Sequence, residues 1–155
     1  MANPDRFALI DIDKMVYRGG QPSEEHLHML KDIGIKHIIN LRKEDISERV
    51  KEKSLCLKLG INYHAYPTYG IFGLNNQFIN EIVDLINSFD GPTYIHCKNG
   101  RDRTSIIIAS YLVKYKGKDK DNAWKTDVLK YDHDENDKYY AKFKESFYDF
   151  CNSLK

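Results

Sequence analysis

The stretch that decides the fold reads Thr93-Tyr94-Ile95-His96-Cys97-Lys98-Asn99-Gly100-Arg101-Asp102-Arg103-Thr104, and it runs on into the apolar series Ile106-Ile107-Ile108-Ala109. Thr93 to His96 is a β-run, Cys97 to Arg103 a polar loop, and Thr104 to Lys116 a strongly apolar helix. A strand that feeds a short loop opening directly into a helix gathers backbone N–H groups around one point, beside the positive end of the helix dipole. Such a point binds an anion. A cysteine at the start of the loop is held where its thiolate is favoured, because such surroundings lower a thiol pKa to about 3.5–7.5.

Cys97 therefore reads as a nucleophile, able to attack phosphorus and form a phosphocysteine intermediate. Arg103, six positions later, can grip two phosphoryl oxygens with its planar guanidinium and stabilise charge as it moves onto them. Gly100 lets the loop turn so that its amides face inward. The Thr104 hydroxyl is placed to hydrogen-bond the Cys97 sulfur and help it leave. Neither a metal nor a cofactor is required by this chemistry.

Outward from the loop, short strands are predicted over Phe7 to Ile10 and Met15 to Arg18. Gly19-Gly20-Gln21-Pro22 then breaks the chain, and Ser23 caps a helix from Glu24 to Ile33. His37 to Leu41 is a buried strand. Ser47 to Leu59 is a surface helix patterned on Val50, Leu55 and Leu59, and Ile61 to Ala65 is a further strand. Pro67 to Leu74 is a loop whose aromatics either face solvent at a binding site or pack inward. Asn75 caps a helix to Ser88 with an apolar face of Phe78, Ile82, Leu85, Ile86 and Phe89. Two helices, Asp121 to Tyr131 and Asp137 to Leu154, complete the chain. Interleaved strands and helices imply one α/β domain over residues 1–155 with a mainly parallel central sheet.

The nine-residue pattern His-Cys-x-x-Gly-x-x-Arg-Thr resembles the phosphate-binding signature of the protein tyrosine phosphatases, in particular their compact dual-specificity branch. Val16-Tyr17-Arg18-Gly19-Gly20-Gln21-Pro22-Ser23 and the segment from Leu30 to Arg42 are similar to the opening of small bacterial and fungal members. The resemblance covers roughly residues 16 to 116. It implies a four- or five-stranded sheet with helices on both sides and hydrolysis of phosphate monoesters. Cys97, Arg103 and Asp102 then fall at catalytic positions. Lys98, Asn99, Gly100, Arg101, Asp102 and Arg103 hold the phosphate, with His96 and Thr104 in support.

One part of that pattern is missing. The family places an aspartate on a flap some thirty residues before the cysteine as general acid, yet no Asp or Glu lies between Lys53 and Asn80. The nearest replacement is Asp102, in a Gly-x-Asp-Arg-Thr run similar to that of the myotubularins, where an aspartate at this position has been assigned the acid role. Against it, an Asp beside a catalytic Arg can simply hold the loop's shape through hydrogen bonds to backbone amides, and its ion pair with Arg103 would favour the charged form. His64, His133, Asp132, Asp134 and Glu135 are remote candidates that read as solvated surface groups. A leaving group that departs readily as an anion needs no acid at all.

Lys98, Arg101 and Arg103 give the loop three cations, which favours a polyanion such as an inositol polyphosphate or a phosphoinositide. Lys125 and Lys130 either widen that rim or form an ordinary polar face. Phosphotyrosine is the other substrate class, with Tyr66, Tyr69 and Phe72 available to flank a ring, although eleven tyrosines make local aromatics unsurprising. Competing readings are a phosphate-binding pseudophosphatase without an efficient acid, and a sulfur-transfer or arsenate-reducing enzyme using Cys56 or Cys151 as resolving thiol.

A formal net charge of +1 supplies no global field for nucleic acid or a membrane surface. The longest apolar run, Ile106 to Val113, is too short to cross a bilayer. Three scattered cysteines fit a reducing, cytoplasmic setting. Asp5, Arg6, Asp11 and Asp13 interrupt any apolar stretch a secretion signal would need, although a processed start could hide one.

Overall fold

Alternate residues of the central strands face opposite sides and fill two separate cores. In a computed structural model, which describes residues 2–70 and 72–154 but not the Tyr139 side chain, Ile39 and Ile95 enter one core while their neighbours Ile38 and Tyr94 enter the other. This period of two is what a sheet buried on both faces requires. The strands are β1 (Ala8–Asp11), β2 (Val16–Gly19), β3 (His37–Arg42), β4 (Asn62–Thr68) and β5 (Thr93–His96). They form one sheet in the order β1-β2-β5-β3-β4, with only β1 antiparallel to its neighbour.

The smaller core, around Leu27, Leu30, Ile38 and Cys56, lies under α1 (Glu24–Asp32) and α2 (Ile46–Leu59). The larger lies under α3 (Asn76–Ser88), α4 (Arg103–Lys116) and α6 (Ala141–Asn152). Ser23 and Asn75 cap α1 and α3 through their side-chain oxygens, as small polar residues before an apolar helical pattern do. Helix α4 is enclosed on every side from Thr104 to Leu112, with Ile106, Ile107, Ile108 and Ala109 wholly buried. β5 is the middle strand and α4 the most buried helix, so the loop joining them leaves the carboxyl end of the sheet at its centre, where open α/β sheets form sites.

Three expectations change. The inward face of α2 carries Glu52 and Cys56 while Val50 is exposed, because the Glu52 carboxylate has buried partners described below. The helix expected over Asp121 to Tyr131 is α5 (Lys120–Ala123) followed by a π-turn, Trp124–Val128, and a 3-10 turn, Leu129–Tyr131. There the Asp127 carbonyl accepts from the buried Arg18 guanidinium at 3.1 Å. Of the loop expected over Pro67 to Leu74, Pro67 and Thr68 belong to β4, Tyr69 and Phe72 are exposed, and Ile71 lies outside the described residues.

Candidate active site

Burial by itself raises the Cys97 thiol, but the charge of Arg103, the Thr104 hydroxyl and the amides of Thr104 and Gly100 outweigh it and hold the thiol below its ordinary value. The Thr104 hydroxyl is buried without an acceptor of ordinary hydrogen-bond geometry, so its proton is available to a sulfur that carries charge. The other two cysteines show what burial does without such neighbours: Cys56 is pushed up to about 12 and Cys151 to about 11. All three are free thiols.

The loop keeps its shape by packing on the Gly19-Gly20-Gln21 turn after β2. The Gln21 N–H donates to the Lys98 carbonyl at 2.9 Å. Gly100 has φ of +67°, and a Cβ there would stand 2.6 Å from the Gly19 carbonyl carbon. Only glycine satisfies both conditions. Arg18, wholly buried, donates to the carbonyls of Gly100 and Asp127 and lies 3.6 Å from the centroid of the Tyr131 ring. Desolvation brings this guanidinium down to about 10.

His96 lies wholly buried behind Cys97. Its Nε2 is 2.6 Å from Glu52 Oε2, and Nδ1 is 3.0 Å from the Cys97 carbonyl. Glu52 also accepts from Gln21 Nε2 at 2.7 Å and Asn40 Nδ2 at 3.3 Å. Desolvation opposes charge on His96, but the Glu52 carboxylate outweighs it and the histidine is raised.

Arg103 is held by a residue the sequence pattern did not single out. Its two terminal nitrogens donate to both Glu44 oxygens at 2.8 and 2.9 Å, and Nη1 also donates to the Thr68 carbonyl at 2.8 Å. Hydrogen bonding to Arg103 brings Glu44 down to about 2. Arg42 braces the same carboxylate at 3.1 Å and donates to Gln21 at 2.9 Å. A signal existed: Glu44 follows the carboxyl end of β3, and those strand ends converge on the site.

Asp102 therefore forms no ion pair with Arg103, and the expected arrangement is corrected. Its carboxylate meets His133 Nδ1 at 2.8 Å and does not cap α4. His133 is likewise corrected from a solvated surface group to a buried one. Of the remaining loop residues, Lys98 and Asn99 are exposed and Arg101 half-buried. His64 lies elsewhere, beside His37 at 3.3 Å. Among the described residues no cluster of three or more His, Cys, Asp or Glu side chains could hold a metal ion, and no helix is long and apolar enough to cross a membrane.

Residues 13–118 match the family model described as polymorphic toxin system, DSP-PTPase phosphatase. The chain belongs to this family. Among relatives of this DSP-PTPase chain, phosphatidylglycerophosphate phosphatase PTPMT1 of Arabidopsis thaliana is 29% identical over 111 residues, 68% of this chain and 32% of that protein. The chain spans between about a third and two thirds of the length of the first curated relatives it matches. The crystal structure of TpbA from P. aeruginosa superposes with a TM-score of 0.76 at 17% identity, covering 96% of this chain and 92% of that one. The core catalytic domain of the PP-IP phosphatase SIW14 from S. cerevisiae gives 0.75 at 17% identity, covering 94% and 87%. These likenesses establish the DSP-PTPase fold, an α/β domain with a five-stranded, mostly parallel sheet flanked by helices.

Proposed function

We propose that this protein is a cysteine-dependent phosphatase that hydrolyses phosphate monoesters through a phosphocysteine intermediate. The observation that carries the reading is the state of Cys97, the one cysteine of three whose thiol is lowered. Cys97 is the nucleophile and Arg103, held flat by Glu44, the group that receives charge from the transferring phosphoryl. The amides from Lys98 to Arg103 cradle the oxygens, with His96 and Thr104 in support, and Asp102 is the acid. Free cysteines and thiolate chemistry fit a cytoplasmic setting.

Two substrate classes have support in different observations. Exposed Lys98 and half-buried Arg101 on the loop favour a polyanion, an inositol polyphosphate or phosphoinositide. Lys43, 5.2 Å from the Tyr69 ring, adds to that rim. Exposed Tyr69 and Phe72 favour a phosphotyrosine protein. Relatives point both ways: SIW14 is described as a PP-IP phosphatase, PTPMT1 acts on phosphatidylglycerophosphate, and TpbA has been crystallised with pTyr.

The test is rapid-mixing hydrolysis of p-nitrophenyl phosphate. A burst of nitrophenolate equal to one per Cys97, abolished by Cys97→Ser, is expected. No release beyond that variant's would leave the pseudophosphatase reading standing. Parallel assays on a phosphotyrosine peptide, inositol hexakisphosphate and a phosphoinositide then rank the substrate classes.

A further inference from the structure

Asp102, in the loop, pairs with His133, a residue to which the proposed function gives no role. Nδ1 and Oδ1 are 2.8 Å apart, and the imidazole is 0% exposed while the carboxyl is 20% exposed. Rings of Trp124, Phe143 and Tyr140 surround His133 at centroid distances of 5.4, 5.6 and 6.4 Å. Its Nε2 is buried without a hydrogen-bond partner among the described residues. The charged groups facing this cluster are few. Glu135, bound to Trp124 Nε1 at 2.9 Å and to Lys144 at 3.5 Å, faces the imidazole electrostatically. Asp132 is paired with Arg6 at 2.9 Å. On the Asp102 side, Arg103 is engaged by Glu44.

The position of the ring hydrogen follows from what surrounds it. Hydrogen on Nε2 would bury an N–H with no acceptor among the described residues, which is unfavourable. Hydrogen on Nδ1 leaves only a lone pair facing the rings and directs the donor to Asp102 Oδ1. That anchors one carboxyl oxygen and leaves Oδ2 as the atom free to carry and release a proton. Glu44, the other carboxyl described at the loop, is committed as an anion to Arg103.

We infer that His133 is the positioning residue of an Asp102 general acid, a dyad replacing the carboxyl that the segment from Lys53 to Asn80 does not supply. The inference rests on the phosphatase reading above. In the first step the Cys97 sulfur forms a bond to phosphorus and the bond to the leaving oxygen breaks. The electron pair goes to that oxygen, which takes the Oδ2 proton. Asp102 is left a carboxylate whose Oδ1 still accepts from His133. In the second step water attacks phosphorus and gives a proton to Oδ2. The sulfur–phosphorus bond breaks with its electrons returning to sulfur, and phosphate and the starting acid are restored.

The test uses His133→Phe, which fills the aromatic site without a donor, and His133→Asn, whose amide N–H stands near the position of Nδ1. His133→Phe is expected to lower kcat on an alkyl phosphate at least about 10-fold more than on p-nitrophenyl phosphate, within the range general acids supply, with KM changed much less. His133→Asn should restore most of that difference. Equal losses on both esters, or an Asn variant no better than Phe, would overturn the proposal. Because a buried substitution can unfold the chain, nitrogen NMR of the unsubstituted protein gives an independent reading. Hydrogen on Nδ1 and none on Nε2 at neutral pH supports the dyad, and the opposite tautomer or an imidazolium sinks it. If the unsubstituted protein releases no nitrophenolate, the phosphatase reading itself fails; turnover combined with equal losses defeats only the dyad.

Discussion

Cys97, Cys56 and Cys151 are all buried, so burial does not decide which thiol ionises; the neighbours do. At Cys97 the opposing influences are Arg103, Thr104 and inward amides, and the first of these depends on Glu44. Because Glu44 is lowered from 4.5 to about 2, its contribution to the folded state is full above pH 4.5 and is lost as pH falls toward about 2. The clamp on Arg103 is therefore fully in place above pH 4.5. On the acid side kcat/KM is expected to fall as pH drops through a Cys97 thiol pKa below the usual 9, alongside protonation of the phosphate ester itself. Glu44→Gln keeps the shape of the clamp while removing its charge. We expect kcat to fall about 10- to 100-fold, less than the 10²–10³ of losing an oxyanion donor outright, with the fold retained in thermal melts. An unchanged kcat would show that Arg103 is positioned by the Thr68 carbonyl.

At the scale of elements, the loop is held from several sides: by the Gly19-Gly20-Gln21 segment, by Arg18 from β2, by Glu52 from α2 through His96, by His133 at Asp102 and by Arg6 at the Asn99 carbonyl. Gly100→Ala sets a Cβ against the Gly19 backbone at positive φ, so the turn must shift or the loop must open. The expected cost is about 1–3 kcal/mol for the strained backbone, read as a fall in Tm of about 2–4 °C per kcal/mol at this chain length, with turnover lost as the amides rotate away. A stable variant with full activity would mean that the loop adapts. These supports mark the boundary of what the sequence makes legible. The strand, loop and helix from Thr93 to Lys116 are readable because the chemistry is local and the hydrophobic period changes at Cys97. Glu52 is not, since an acid on the inward face of α2 breaks the apolar pattern that identifies such faces. His133 is missed for the same reason: it sits in an acidic run, Asp132-His133-Asp134-Glu135, that reads as solvent-facing until Trp124 and Phe143 close over it.

Over the whole molecule, positive and negative charges nearly cancel, so attraction for an anionic substrate has to be local. Glu44 offsets part of the charge of Arg103 on one side of the loop and Asp132 part of that of Arg6 on the other. Under the proposed function, Lys98, Arg101 and Lys43 are the cations left to meet a substrate. Within a Debye length of about 10 Å at 0.1 M salt such a group acts as one charged patch. A single phosphate monoester gains little from it, whereas a polyphosphate places further charges against the same side chains. Lys98→Ala combined with Arg101→Ala removes two of the three cations without touching Cys97 or Arg103. If a polyanion is the natural substrate, that variant raises KM for inositol hexakisphosphate about 10-fold or more, the size expected when two charge-assisted contacts of about 1 kcal/mol each are lost. KM for p-nitrophenyl phosphate then moves less than about threefold, and added salt weakens the unsubstituted protein's binding of the polyanion in the same direction. Equal effects on both substrates, with no added sensitivity to salt, would count against the polyanion. The exposed Tyr69 and Phe72 would then become the specificity surface, and Tyr69→Ala the variant that lowers activity on a phosphotyrosine peptide.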